Sequence, residues 1–258
     1  MYKKAIAKVN NKIFAKKVLS VMKRAEETKH AQPLQNLQGL PLLAYGGTST
    51  PTASSYIDLT TVFNTIQQGT GQGDRIGNRI TPTRFVFSGF MNFNADIGGA
   101  GDNSQPQYVK MFIFRMKNTV SATAPDMTKF FQYGSTSQAP TGYIQDIKNR
   151  VNLDDIVLYT TRLFKLSPSA IPNTTGVIGA AFTNNDYKLT QAFKIDLTKH
   201  IKKAVYDDQT AQLKNHQMFC AFVFGMNTCE EVKKYQPDGE LHTPIQIAYT
   251  IECAYKDD

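Results

Sequence analysis

Residues 84–94, RFVFSGFMNFN, alternate between apolar and polar side chains with a period of two. Phe85, Phe87, Gly89, Met91 and Phe93 share one face, while Arg84, Ser88, Asn92 and Asn94 share the other. That is the pattern of a strand buried on one side. Residues 245–255, IQIAYTIECAY, repeat it: Ile245, Ile247, Tyr249, Ile251, Cys253 and Tyr255 stand against Gln246, Ala248, Thr250, Glu252 and Ala254. A helix cannot gather such a set, because its same-face neighbours recur every three or four residues. Further strands are expected at 108–117, 155–166, 192–197 and 218–226, all rich in aromatic and β-branched residues. Loops of Gly, Asn, Ser and Pro separate them, as at 95–107 and 167–176, and short helices are expected near 125–133 and 198–206. No strand–helix–strand rhythm is present, which argues against a parallel-sheet enzyme fold. The expected class is all-β: a single jelly-roll β-sandwich of about eight antiparallel strands.

The chain can fill such a sandwich. Of its 258 residues 41% are apolar, with sixteen Phe and twelve Tyr. No run approaches the roughly 18 apolar residues of a membrane span, and the first residues lack the apolar core of a secretory signal. A soluble, intracellular protein is the expectation. Cys220, Cys229 and Cys253 are too few and too irregularly spaced for a disulfide framework or a metal knuckle. In apolar surroundings they read as small core residues.

Charge divides the chain unevenly. Residues 1–30 hold nine basic side chains, Lys3, Lys4, Lys8, Lys12, Lys16, Lys17, Lys23, Arg24 and Lys29, against Glu26 and Glu27, a net of +7. The remainder is +1, from twenty basic and nineteen acidic groups. At ~100° per residue, Lys4, Lys8, Lys12, Lys16 and Lys23 fall in one sector of a helix. Ile6, Val9, Ile13, Phe14, Val18, Val21 and Met22 occupy most of the other side, although Leu19 is misplaced and Lys3, Lys17 and Arg24 intrude on that side. Residues 1–30 are therefore expected as a basic amphipathic arm, helical or disordered, for which polyanions are the natural partners. A plain surface helix and a membrane or targeting helix are the alternatives. Residues 31–56 carry no charge and mix Pro, Gly, Ser and Thr, the composition of a tether. The folded domain is expected over 57–258.

The glycine-rich stretch GTGQGDRIGNRI, 69–80, invites a nucleotide-binding reading that its spacing refuses. G-x-G-x-x-G begun at Gly69 meets Asp74, and begun at Gly71 it meets Ile76. A phosphate loop must also open a helix, whereas here Pro82 and a strand follow. The four histidines lack ligand spacing, and Asp154–Asp155, Asp207–Asp208 and Asp257–Asp258 read as turn formers or solvated charges before calcium ligands. No catalytic constellation, metal site or cofactor motif emerges, so a non-enzyme is expected. Arg75 and Arg79 remain candidates for contact with nucleic acid or a neighbouring subunit.

The run Gln68–Ile80 leading into RFVFSGFMNFN resembles the first core strand of single jelly-roll capsid proteins. The likeness is to those of circular, Rep-encoding single-stranded DNA viruses of circovirus type. YVKMFIFRMK, LYTTRLFKLSP and the closing IQIAYTIECAYKDD agree with that pattern. The resemblance implies a capsid subunit that assembles into an icosahedral shell of sixty or more copies, with the basic arm on a single-stranded genome. DNA is favoured over RNA, and the virion and the host nucleus or cytoplasm are the implied locations. The arm departs from the family by using spaced lysines in place of dense arginine tracts. A positive-strand RNA virus coat protein and a non-viral nucleic-acid-binding β-sandwich are the competing readings.

Overall fold

The computed structural model describes residues 13–18, 27–39, 56–71, 73–93, 107–117, 125–140, 144–166, 190–207, 213–214, 217–226 and 245–257. Twelve strands lie among them: β1 Lys29–His30, β2 Leu34–Gly39, β3 Ile57–Asp58, β4 Arg79–Phe93, β5 Gln107–Met116, β6 Phe131–Tyr133, β7 Thr136–Gln138, β8 Ile156–Leu166, β9 Thr190–Asp196, β10 Ala204–Val205, β11 Phe219–Met226 and β12 Ile245–Asp257. Every strand ladder is antiparallel.

Two main sheets form. In the first, β12 and β4 lie side by side, with β1 and β2 on the far edge of β12 and β9 and β10 on the far edge of β4. The second runs β3-β11-β5-β8. Eight of the strands pair in nested order: β2 with β12, β3 with β11, β4 with β9, and β5 with β8. The molecule is an all-β sandwich.

The alternation in the sequence becomes the space between the sheets. Phe85, Phe87 and Met91 of β4, and Ile245, Ile247, Ile251, Cys253 and Tyr255 of β12, meet Val109, Met111 and Ile113 of β5 and Cys220 and Phe222 of β11 in one apolar cluster. Each buried Phe contributes about 1.5–3 kcal/mol relative to exposure. A short helix, Thr61–Asn64, closes one part of this core with Val62 and Phe63. Cys220 and Cys253 are core residues as expected, and burial pushes the Cys253 thiol up to about 12. Cys229 lies outside the described residues.

Strand β4 also begins earlier than its alternation predicts. Against β12, the register shifts so that Ala254 faces Arg84 but Tyr255 faces Pro82. The bulge reverses the parity, so even-numbered Ile80 and Pro82 turn inward as odd-numbered Phe85 and Phe87 do. A bulge is also where a strand tolerates a residue without an N–H.

Three expectations need correction. Residues 29–39 belong to the sheet, not to an arm and tether, so the sandwich starts at or before Lys29 rather than at residue 57. Strand β4 is accordingly the third of the eight nested strands, not the first core strand. The sequence LQNLQG hides β2 because an edge strand on a polar rim has no period-two signal. Neither expected short helix forms as such. Met127–Lys129 and Thr198–His200 are single 3-10 turns, followed by strands β6 and β10.

Candidate nucleic-acid interface

The cations named from sequence separate into three groups. Residues 13–18 are helical and exposed, Lys16 and Lys17 among them. The same helix leaves Ile13, Phe14 and Val18 in solvent, with Phe14 69% exposed. Lys3, Lys4, Lys8, Lys12, Lys23 and Arg24 lie outside the described residues.

Lys29 is not a free arm charge. It sits in β1 opposite Tyr255, and its Nζ donates to the Asp74 carbonyl at 2.6 Å and to Asp257 Oδ2 at 2.7 Å. The other oxygen of Asp257 accepts from the Ile76 amide at 3.3 Å. Asp257, expected as a turn former or solvated charge, therefore ties β1, the C-terminal end of β12 and the glycine-rich loop together. An ion pair this sheltered leaves little charge for a phosphate.

Arg75 is the clearest correction. The loop around it closes on itself: the Arg75 amide donates to Gln67 O at 2.9 Å and the Gly69 amide to Arg75 O at 3.1 Å. That folds the Arg75 side chain inward, where only 2% of the residue is exposed. Its Nη1 donates to Gly77 O at 2.6 Å and to Asn78 Oδ1 at 3.0 Å, and the guanidinium lies 4.2 Å from the centre of the Tyr206 ring. Such a stack adds of order 1–2 kcal/mol when desolvated. The Tyr206 hydroxyl donates onward to Phe63 O at 3.0 Å, and burial pushes it far above the usual phenol range. The Tyr255 hydroxyl donates to Gly73 O at 2.8 Å; burial first, then the Asp257 charge, pushes it up to about 12. Arg75 thus pins the loop onto the sandwich and is sealed from any polyanion.

The loop glycines make room for a side chain rather than supply unusual backbone angles. Among the described glycines only Gly134 has a positive φ. Gly69 and Gly71 instead clear space for the Asp74 carboxylate, which accepts from the Gly71 amide at 2.9 Å. A Cβ at Gly69 would collide with that carboxylate oxygen, and one at Gly71 would approach it to 2.7 Å.

Arg79 remains open. It is exposed at the start of β4, opposite Val205 of β10. The turn leading into β10 places Lys199, Lys202 and Lys203 along the same sheet edge, all of them exposed. This basic edge escaped notice because the body sums to only +1, and a sum conceals clustering.

The outer face of the first sheet holds a second feature. Register aligns Leu37, Ala248, Phe90 and Ala192 in one row across β2, β12, β4 and β9. Gln35, Thr250, Ser88 and Lys194 form the next row. Together they line an open groove of about 690 Å³. Leu37 is 65% and Phe90 52% exposed. The signal was present in RFVFSGFMNFN, where Phe90 is an apolar residue on the polar face. Among the described residues, no helix is long and apolar enough to cross a membrane.

Compared with known proteins, the chain matches no family model and no curated sequence.

Proposed function

We propose that this chain is the coat subunit of a small icosahedral virus and that it packages a single-stranded genome, DNA in preference to RNA. One observation carries the reading: eight strands paired first with last, second with next-to-last and so on, an order consistent with a jelly roll, preceded by residues 1–28, a segment of net charge +6. The segment supplies sequence-independent attraction to phosphate, and the near-neutral sandwich permits copies to pack closely without strong self-repulsion. The genome contacts assigned to the body are at the Arg79 edge and exclude Lys29 and Arg75.

The test is expression of the full chain and of a chain lacking residues 1–26, which keeps Lys29 and β1 intact. Negative-stain electron microscopy and size exclusion should show closed shells of many subunits. Nucleic acid, read from absorbance, should be retained by the full chain alone. A monomer or small discrete oligomer at every salt concentration overturns the proposal.

A further inference from the structure

Among the described residues, the groove on the first sheet and the helix at residues 13–18 are two unpartnered apolar surfaces. The groove offers Leu37 and Phe90 as ridges, with Ala248 and Ala192 as the dips beside Phe90. The helix offers Phe14 and Val18, four residues apart and so on one face, with Ile13 exposed beside them. In sequence Val21 and Met22 continue that face.

Chain length allows the two to meet. Ten residues, 19–28, separate the helix from Lys29 and can extend ~33–36 Å. Lys29 lies opposite Tyr255, and the groove is centred at Ala248 on the same strand, seven residues or about 23 Å away. The helix can therefore reach the groove of its own subunit.

We infer that the groove is the seat of this chain's own N-terminal amphipathic helix, which docks through Phe14 and Val18 against Phe90 and Leu37. Docking turns Lys16 away from the sheet, ~160° around the helix from Phe14 at 100° per residue. Lys12 and Lys23 fall within ~40° of Lys16 in sequence. A near-neutral sheet face thereby acquires a lysine surface fixed to the sandwich. The consequence for genome packaging rests on the coat-protein reading; the docking itself does not.

Crosslinking the full chain tests the seat. In a Cys229→Ser background, with Cys220 and Cys253 buried, Phe14→Cys is combined with Phe90→Cys. The control joins Phe14→Cys to Leu163→Cys, which is 57% exposed on β8 of the other sheet. After mild oxidation at low protein concentration, a non-reducing gel and peptide mass mapping should show the 14–90 disulfide within single chains, at least tenfold above the control. Equal yields, or no 14–90 product, overturn the inference. A ladder of linked chains overturns it in favour of a helix from a neighbouring copy. The companion measurement is binding to a thirty-residue oligothymidine. Phe14→Asp and Phe90→Asp should each weaken it several-fold, and their combination should do no more than either alone. Loss with Phe90→Asp but no 14–90 disulfide would assign the groove to bases stacking on Phe90. A chain that forms the disulfide but no shells sinks the coat-protein reading alone; shells without the disulfide sink the docking alone.

Discussion

The two sheets of this sandwich share one interior but differ on their outer faces. On the second sheet, Phe112, Phe114 and Met116 of β5 and Phe219, Ala221 and Val223 of β11 point away from the first sheet and are still buried. The chain between β5 and β8 covers them with Met127, Phe130, Phe131, Ile147 and Val151. Phe130 is edge-on to Phe112, Phe114 and Phe131, with ring centres 5.1–5.2 Å away. On the first sheet nothing among the described residues covers the row through Leu37 and Phe90. One face is finished within the chain, and the other is left open among the described residues. Apolar residues there belong to different tasks: stability on the second sheet, contact on the first.

The largest expected effect is on the covered face. Phe112→Ala removes a fully buried ring from the cluster under Phe130 and Phe131, and should destabilise the protein by about 3–5 kcal/mol in urea unfolding. A cost below about 1 kcal/mol would mean that the cover is not packed as a core.

Gly89 lies between the two faces. A Cβ there would run into the Ala248 carbonyl and come within 3.0 Å of the Phe193 ring. The collision is partly with backbone, which cannot swing aside. Gly89→Ala should therefore cost about 3 kcal/mol, the upper part of the overpacking range. Unchanged denaturant midpoints would show that the first sheet bends more easily than the second.

Lys29→Ala should cost less, about 1.5–3 kcal/mol, for the loss of charge-assisted hydrogen bonds to Asp257 and Asp74. Hydrogen exchange should rise at the Ile76 amide, which Asp257 holds. Unchanged exchange at Ile76 would detach the loop from this ion pair.

How much was legible in advance follows the same division. Strands β4 and β12 were found through alternation, because one face was polar. Strands β5 and β11 read as MFIF and FCAFVF, unbroken apolar runs that signal burial on both faces. Only their being strands was expected, and the cover over their second face was not. The cover itself, a hairpin and 3-10 turns between residues 125 and 155, has no period to detect. Strands β1 and β2 were missed because an edge strand needs only a partner's backbone. The candidate site divided by context: Lys16, Lys17 and Arg79 are exposed, whereas Lys29 and Arg75 are held by Asp257 and Tyr206, distant in sequence. Residue type identifies a cation; only tertiary contacts decide whether its charge is available.

The smallest effect is the one that sets the comparison. Phe90→Ala makes the same chemical change as Phe112→Ala, on the outer face of the other sheet. In a chain lacking residues 1–26, Phe90 has solvent on one side and gives up little when truncated. The cost there should stay within about 0.5 kcal/mol, as for ordinary surface substitutions. In the full chain it should be larger, because contact with the docked helix is lost as well. Urea unfolding of both chains with and without the substitution closes a thermodynamic cycle. Equal costs in the two chains would mean that the helix does not rest on Phe90. A large cost in the shortened chain would mean that the open face is packed by the sandwich itself, and the contrast between the two sheets would fail.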